Sequence, residues 1–229
     1  MNRRNASALG IAIALAAVAG DSLASPQFTA TLQETYLSKA PHSSSGQRTL
    51  ITWSDPGEPG GKPKAIKRFV LQFHRGTRFD TSALPACKAS DLTVQREGLH
   101  ACPARTRLGG GHTEAIASGG FAFTTDVTFF NARGHIIVLV QVDGRTLTNF
   151  RDTVRDGTIH VNTKIPGGVS LTKLDVTIPA RSRKIKRKRH TYMRTPATCP
   201  ASGSWTTNAT LVYVDGSEQR VTSDTPCRR

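Results

Sequence analysis

The chain has 229 residues, enough for one large domain or two small ones, and 31 Lys and Arg against 16 Asp and Glu give a formal net charge of +15. With only 37% apolar residues the chain is not a polytopic membrane protein, and 20 Gly and 12 Pro are too few for a collagen or a low-complexity chain. The positive charge points to anionic partners but does not indicate a particular reaction.

The N-terminus has the pattern of a signal peptide. A short positive region precedes an apolar stretch over residues 8–20, and a small-x-small sequence of the kind that signal peptidases accept ends at Ala24. As a helix the apolar stretch spans about 20 Å, less than the roughly 30 Å hydrocarbon core of a bilayer. We therefore expect residues 1–24 to be a signal peptide and the protein to be secreted or associated with the cell envelope. A retained membrane anchor is the alternative.

Beyond the signal peptide, apolar and polar residues alternate with period two, which is typical of half-buried strands. Residues 69–73 alternate in this way, and residues 135–142 are apolar on both faces, as in a central strand covered on both sides. The turn sequence at 131–134 predicts a β-hairpin. The other predicted strands are 28–32, 50–53, 121–129, 158–161, 172–178, 205–214 and 219–221.

One short helix is predicted after Ser90, because a serine hydroxyl is suited to cap a helix N-terminus. About nine strands and one helical turn predict an all-β fold. We expect a single antiparallel β-sandwich of the immunoglobulin-like or jelly-roll type over residues 25–229. A division into two domains near Gly110 is the alternative, although no linker sequence supports it.

All four cysteines, Cys87, Cys102, Cys199 and Cys227, lie beyond the signal peptide, and an even number in an exported protein predicts disulfides. Four cysteines allow three pairings. We expect Cys87–Cys102 and Cys199–Cys227, because these pairs have the shortest sequence separations. Zinc binding is a rival interpretation, but no CxxC or CxxH spacing is present. We expect neither a metal nor a cofactor.

The most unusual segment is RSRKIKRKRH at positions 181–190, which has seven Lys or Arg in ten residues. Such a block repels itself, so we expect an exposed hairpin tip or loop that binds anionic cell-wall polymers or lipid headgroups. Few aromatic residues are interleaved, which argues against sequence-specific recognition of nucleic acid. A solvated loop that only aids solubility is the alternative. The predicted polyanion-binding residues are Arg181, Arg183, Lys184, Lys186, Arg187, Lys188 and Arg189.

A second basic segment follows Cys102 and contains a run of glycines at 109–111. Glycine permits a positive φ or a close approach of backbone. One interpretation is an anion-cradling loop, to which Arg105, Arg107 and His112 add positive charge. The other is a tight crossover after a disulfide.

The segments around the cysteines carry a family resemblance. The first begins with LPAC at 84–87 and continues as CPARTRLGGG at 102–111, and the second is CPASGSW at 199–205, ending in Pro226-Cys227. These segments resemble a group of uncharacterised secreted proteins of actinobacteria. The resemblance implies export, a β-rich fold and the disulfide pairing of neighbouring cysteines. It implies no activity.

Three functions are compatible with these features. The first is a non-enzymatic exported protein that associates with the anionic cell envelope through the basic segment. The second is a partner-binding structural module of the envelope that uses an exposed strand edge or an apolar patch. The third is a carbohydrate-active hydrolase that uses loop carboxylates such as Asp143 and Asp215. No nucleophile motif is present, so we expect a protein that is not an enzyme.

Overall fold

The structure is a computed structural model that describes residues 28–228, so the predicted signal peptide lies outside the described residues. Within this range the chain forms sixteen β-strands, one α-helix and four short 3₁₀ helices. The helix α1 is Asp91–Glu97, and the 3₁₀ helices are Pro59–Gly61, Gly98–Ala101, Ala104–Thr106 and Ser118–Gly120. The strands are β1 (Thr29–Tyr36), β2 (Ser44–Ser45), β3 (Gln47–Ser54), β4 (Ile66–Gln72), β5 (Arg78–Phe79), β6 (Arg107–Ile116), β7 (Ala122–Ala132), β8 (His135–Val142), β9 (Arg145–Arg155), β10 (Thr158–Asn162), β11 (Ser170–Ile178), β12 (Ser182–Ile185), β13 (Lys188–Thr191), β14 (Met193–Arg194), β15 (Ser204–Tyr213) and β16 (Glu218–Pro226).

Eleven strands form one sheet in the order β1-β3-β11-β6-β7-β8-β9-β10-β4-β15-β16, and every neighbouring pair is antiparallel. The two edge strands, β1 and β16, lie against each other. The sheet therefore curls into a nearly closed, barrel-like form. The predicted all-β class is confirmed, but the predicted sandwich of two sheets is wrong, because one continuous sheet encloses the core by itself.

The seam between β1 and β16 is closed by side chains. An odd number of antiparallel strands leaves the first and last strands parallel, so the antiparallel ladder cannot continue across the seam. Instead, the Glu34 N–H donates to Ser223 Oγ at 2.8 Å, and Thr225 Oγ1 donates to the Glu34 carbonyl at 2.6 Å. These hydrogen bonds satisfy polar groups of the two edge strands that a backbone ladder would otherwise satisfy.

Inward-facing residues of the sheet form the main hydrophobic core. Along β1, for example, Ala30, Leu32, Glu34 and Tyr36 are buried while the residues between them are exposed. The partner strand β3 shows the same alternation, and its inward residue Ile51 lies opposite Leu32. The core thus fills the interior of the barrel-like sheet, and period-two patterning is the sequence signature of that arrangement.

One end of the barrel-like sheet is covered by a small three-stranded sheet in the order β2-β14-β5. This sheet joins the end at which β1 stops and β3 begins, since the Leu37 N–H donates to the Gly46 carbonyl at 3.0 Å. Aromatic rings pack beneath it in a continuous chain of contacts. The members of that chain are Tyr192, Phe79, Phe73, Tyr36 and Trp205, with centroid separations of 5.0 to 6.0 Å.

The helix α1 packs on the outer face of the sheet. Ser90 Oγ accepts a hydrogen bond from the Thr93 N–H at 3.1 Å, so the predicted N-cap is confirmed. Val94 of the helix forms a second apolar cluster with Phe130 and Ile137 of the outer wall. Strand β8 is therefore covered on both faces, by the main core on its inner face and by this cluster on its outer face, as its apolar sequence predicted. No helix in residues 28–228 is long and apolar enough to cross a membrane.

Both predicted disulfides are present. Cys87–Cys102 lies in the apolar cluster beneath α1, and Cys199–Cys227 ties the end of the chain to the segment that precedes β15. No cysteine among residues 28–228 is free, so the zinc interpretation of these thiols is wrong. Disulfides are typical of proteins in oxidising compartments, and their presence fits an extracytoplasmic location.

The glycine run at 109–111 is neither an anion-cradling loop nor a crossover. It lies inside β6, where the sheet needs glycine because a Cβ on Gly110 would overlap the Val127 carbonyl, and one on Gly111 would overlap the Asp175 carbonyl. His112 also lies on β6, where its Nδ1 is 2.9 Å from Asp126 Oδ1 on the neighbouring strand. The close approach of backbone that glycine permits is confirmed, but both interpretations of the run, as a loop and as a crossover, are wrong because the approach occurs inside a strand of a curved sheet.

Candidate functional site

The basic segment 181–190 forms a hairpin that projects from the sheet. Strands β12 and β13 pair antiparallel and leave a two-residue turn at Lys186-Arg187. The hairpin is anchored at its base, where the Tyr192 N–H donates to the Arg181 carbonyl at 2.9 Å and Arg181 Nε donates to the Leu108 carbonyl at 3.3 Å. We call residues 181–190 the basic hairpin.

Two features of the basic hairpin, its turn conformation and a like-charge pair, lower its stability. Lys186 and Arg187 have φ values of 45° and 67°, a left-handed conformation that residues with a Cβ adopt unfavourably and that such turns usually fill with Asn-Gly. Lys184 lies directly opposite Arg189, and like charges across a strand pair are destabilising. A turn optimised for stability alone would use neither feature.

All seven predicted cations of the basic hairpin are exposed. Among residues 28–228, no ion pair involves any of them; the six pairs present lie elsewhere on the surface. The positive charge of the hairpin is therefore not neutralised by the carboxylates of the described chain. It is open to an external anion.

The structure joins the basic hairpin to the second basic segment. Arg107 is the first residue of β6, and Arg105 lies in the 3₁₀ turn just before it. Together with Arg181 and Arg183 they line an open cleft of about 620 Å³. Arg105 is placed there by the 3₁₀ turn that follows Cys102, in which Thr106 Oγ1 donates to the Pro103 carbonyl at 2.7 Å. The remaining residues of the cleft are Leu84, Pro85 and Ser182. We call this feature the arginine cleft.

The arginine cleft gathers three distinctive parts of the sequence at one place. Its walls come from the Leu84-Pro85 pair before the first cysteine, from the arginines after the second, and from the base of the basic hairpin. Guanidinium groups bind phosphate and carboxylate oxygens through two parallel hydrogen bonds, so converging arginines favour such ligands. Arg105 and Arg107 were predicted to meet an anion, but beside His112. The structure places His112 on the sheet wall and the arginines beside the basic hairpin.

Sequence reasoning missed the association of the two basic segments, because they are more than 70 residues apart and nothing in the pattern pairs them. The loop carboxylates proposed for a hydrolase lie elsewhere. Asp143 is in the turn between β8 and β9, and Asp215 is in the turn between β15 and β16, where it pairs with Lys64 at 2.8 Å. The hydrogen bonds from Lys64 and Ser217 hold the pKa of the Asp215 carboxyl well below its ordinary range.

Comparisons with known proteins do not identify this chain. No family model matches its sequence, and neither a curated protein nor a solved structure is significantly similar to it. The resemblance to secreted actinobacterial proteins stays a prediction.

Proposed function

We propose that this protein is a non-enzymatic, exported binding protein that associates with phosphate-rich material of the cell envelope. The observation that carries the proposal is the continuous cationic surface formed by the basic hairpin and the arginine cleft, on which no cation is paired with a carboxylate of the described residues. The shared chemistry of the ligand is a phosphate ester. Its source is either a wall polymer or an anionic lipid headgroup.

The energetic cost of the basic hairpin supports this proposal. Left-handed conformations at two residues and a like-charge pair across the strands both lower stability, and a bound polyanion would relieve the repulsion. The arginine cleft adds a concave region in which a phosphate group can contact more than one guanidinium. A loop that only aids solubility needs neither the concavity nor the convergence.

The test is binding of the purified chain to isolated cell envelope across a salt series. Counterion release makes the logarithm of affinity fall by about 0.7 to 0.9 per phosphate contact for each tenfold rise in salt. Five contacts therefore predict a loss of about 200-fold between roughly 50 and 200 mM salt. A variant with Lys184, Lys186, Arg187, Lys188 and Arg189 changed to Ser is expected to lose this dependence.

A charge-matched control separates the basic hairpin from net charge. Its five substitutions to Ser remove exposed cations of the barrel wall and of the loops at the opposite end, and it is expected to bind as the unmodified protein does. The control residues are Lys67, Arg68, Arg145, Lys164 and Arg220. Equal loss of binding in both variants would show that net charge alone acts, and would contradict the proposal.

The source of the phosphate is resolved by two further arms. Vesicles of phosphatidylglycerol, with phosphatidylcholine vesicles beside them, test the lipid headgroup, and wall preparations with and without their phosphate polymers test the polymer. Binding that persists at high salt and in the hairpin variant would instead favour the partner-binding module.

A further inference from the structure

The interior of the barrel-like sheet is incompletely filled. A cavity of about 110 Å³ remains along it, and most of its wall is aliphatic or aromatic. Representative wall residues are Val138, Val140, Phe150, Val161 and Val176. An apolar cavity of about 150 Å³ in a protein core can stay dry and bind a molecule such as benzene. We call this cavity the lumen.

The lumen opens at a rim of three connections: the turns between β6 and β7, between β8 and β9, and between β10 and β11. Large apolar side chains are exposed at this rim, with Phe121 69% and Leu147 38% accessible. Phe121 stacks on Phe123, a wall residue, at 6.2 Å between ring centroids. Exposed aromatic rings beside an apolar opening are a feature of entrances for apolar ligands.

The opposite end of the lumen is closed. The chain of aromatic contacts beneath the three-stranded sheet separates it from solvent, and Tyr192 and Trp205 of that chain are completely buried. Within the part of the chain that the structure describes, the lumen is therefore a blind channel that opens at the rim.

The inner end of the lumen is polar. Asp152 and Gln47 are among its wall residues and each is 4% exposed. Among the described residues, Asp152 Oδ1 and Gln47 Oε1 find no hydrogen-bond partner, and neither does the hydroxyl of Tyr192, which lies near Asp152. Buried polar atoms are nearly always hydrogen-bonded, so a molecule inside the cavity can supply the donor that Asp152 Oδ1 needs.

The charge of the lumen restricts the head group of such a ligand. Burial raises the pKa of the Asp152 carboxyl well above its ordinary value of 3.8, so this group keeps its proton to a higher pH than an exposed carboxyl and can then both donate and accept. A second buried carboxyl, Glu34, lies on β1 beside the wall residue Thr49, whose hydroxyl donates to Glu34 Oε2 at 2.5 Å. Among the described residues that line the lumen, none is Lys, Arg or His. An anionic head group would find no cation there.

We propose that the lumen binds a short-chain aliphatic alcohol, with its hydroxyl at Asp152 and its chain directed toward the rim. The hydroxyl donates a hydrogen bond to Asp152 Oδ1 and accepts one from the carboxyl when that group is protonated. The chain lies along the apolar wall beyond Phe150. The cavity of about 110 Å³ is smaller than the roughly 150 Å³ that holds benzene, so the chain that it admits is short, about five carbons. This site is independent of the basic hairpin.

The first test compares three probes on the unmodified, disulfide-intact protein by calorimetric titration. The probes are 1-pentanol, butyl methyl ether, which lacks the donor, and pentanoate, which carries a charge. We expect one equivalent of 1-pentanol to bind, with the ether about tenfold and pentanoate more than tenfold weaker, because each leaves a buried oxygen unpaired or buries an unpaired charge. Failure of 1-pentanol to bind, or equal affinity for all three probes, would overturn the proposal.

The second test locates the binding. Val138→Trp fills the lumen and should abolish 1-pentanol binding, whereas Thr124→Trp places the same side chain on the exposed outer face of β7 and should leave binding unchanged. Asp152→Leu should reduce the preference for the alcohol over the ether to near onefold while the ether still binds. Circular dichroism and a thermal melt establish that each variant is folded. A Val138→Trp protein that is folded and binds normally would place the ligand elsewhere and refute the proposal.

Discussion

Replacement of the buried Asp152 by Asn is expected to change how the free energy of unfolding depends on pH. The side chains have nearly the same shape, so the wall of the lumen stays intact while the titrating proton is removed. In the native protein burial raises the pKa of Asp152 above its ordinary value of 3.8. The pKa of the Tyr192 phenol is raised mainly by burial and also by the charge of the nearby Asp152 carboxylate. Between about pH 4 and its raised folded pKa, the carboxyl is therefore protonated when the chain is folded and ionised when it is unfolded.

The sign and size of the effect follow from linkage. Above about pH 4 the folded chain binds one more proton than the unfolded chain at this site, so stability falls as pH rises, by about 1.4 kcal/mol per pH unit until the folded pKa is passed. Glu34 makes stability fall with pH in the same way, because burial raises its pKa as well. The hydrogen bond from Thr49 lowers that pKa by a smaller amount. Asp152→Asn removes only the contribution of Asp152. The variant should match the native protein near pH 4 and exceed it in stability near neutral pH.

The assay is urea unfolding with intact disulfides at several pH values between about 4.5 and 6.5. Asp175→Asn is the matched control, because a hydrogen bond from Arg48 lowers the pKa of that carboxyl. Asp175 is ionised in both states in this range, so its variant should differ from the native protein by a constant amount. His74, whose pKa burial lowers, titrates in all these proteins and cancels in the differences. A stability difference for Asp152→Asn that does not change with pH would refute the reasoning.

Three further predictions concern the second disulfide, a glycine of the main sheet and the turn of the basic hairpin. Removing the second disulfide by Cys199→Ser with Cys227→Ser opens a loop of 28 residues and should lower the free energy of unfolding by about 3.5 kcal/mol, measured in urea. Gly110→Ala should lower the melting temperature and reduce the free energy of unfolding by about 2 kcal/mol, because the added Cβ overlaps a backbone carbonyl. The control is Gly167→Ala, whose Cβ meets no described atom within 4 Å and which should leave the stability nearly unchanged. Equal effects of the two substitutions would contradict the steric explanation. Arg187→Gly should raise stability by up to about 1 kcal/mol by relieving the left-handed conformation, yet flatten the salt dependence of envelope binding; a loss of stability would show that the turn is not strained.

Local features of the fold were predictable because their causes lie within a few residues. The apolar run at 135–142 predicted β8 at its observed bounds, and the hydroxyl of Ser90 predicted the cap of α1. The charge density of residues 181–190 predicted exposure, since such a block cannot be buried. The disulfide partners also followed from sequence separation.

Two strands of the eleven-stranded sheet were missed for identifiable reasons. Strand β6 contains Gly109, Gly110 and Gly111, which look like a turn until the neighbouring backbone is in place. Strand β9 (Arg145–Arg155) is rich in Thr and charged residues, because its outer face is solvated or meets α1 and its inner face includes Asp152. An inward carboxyl breaks the alternation on which strand prediction depends.

By itself, the sequence determined the β-rich class, the cap of the helix, the disulfides and the exposed basic hairpin, because each depends on residue type and short spacing. Only the tertiary structure decided that one sheet curls on itself in place of two sheets packing together. Alternation tells which face of a strand is buried but not which strand lies beside it, and β3 pairs with β11 more than 100 residues away. The arginine cleft and the lumen form only once those distant pairings are made, since each is lined by segments that are far apart in the sequence.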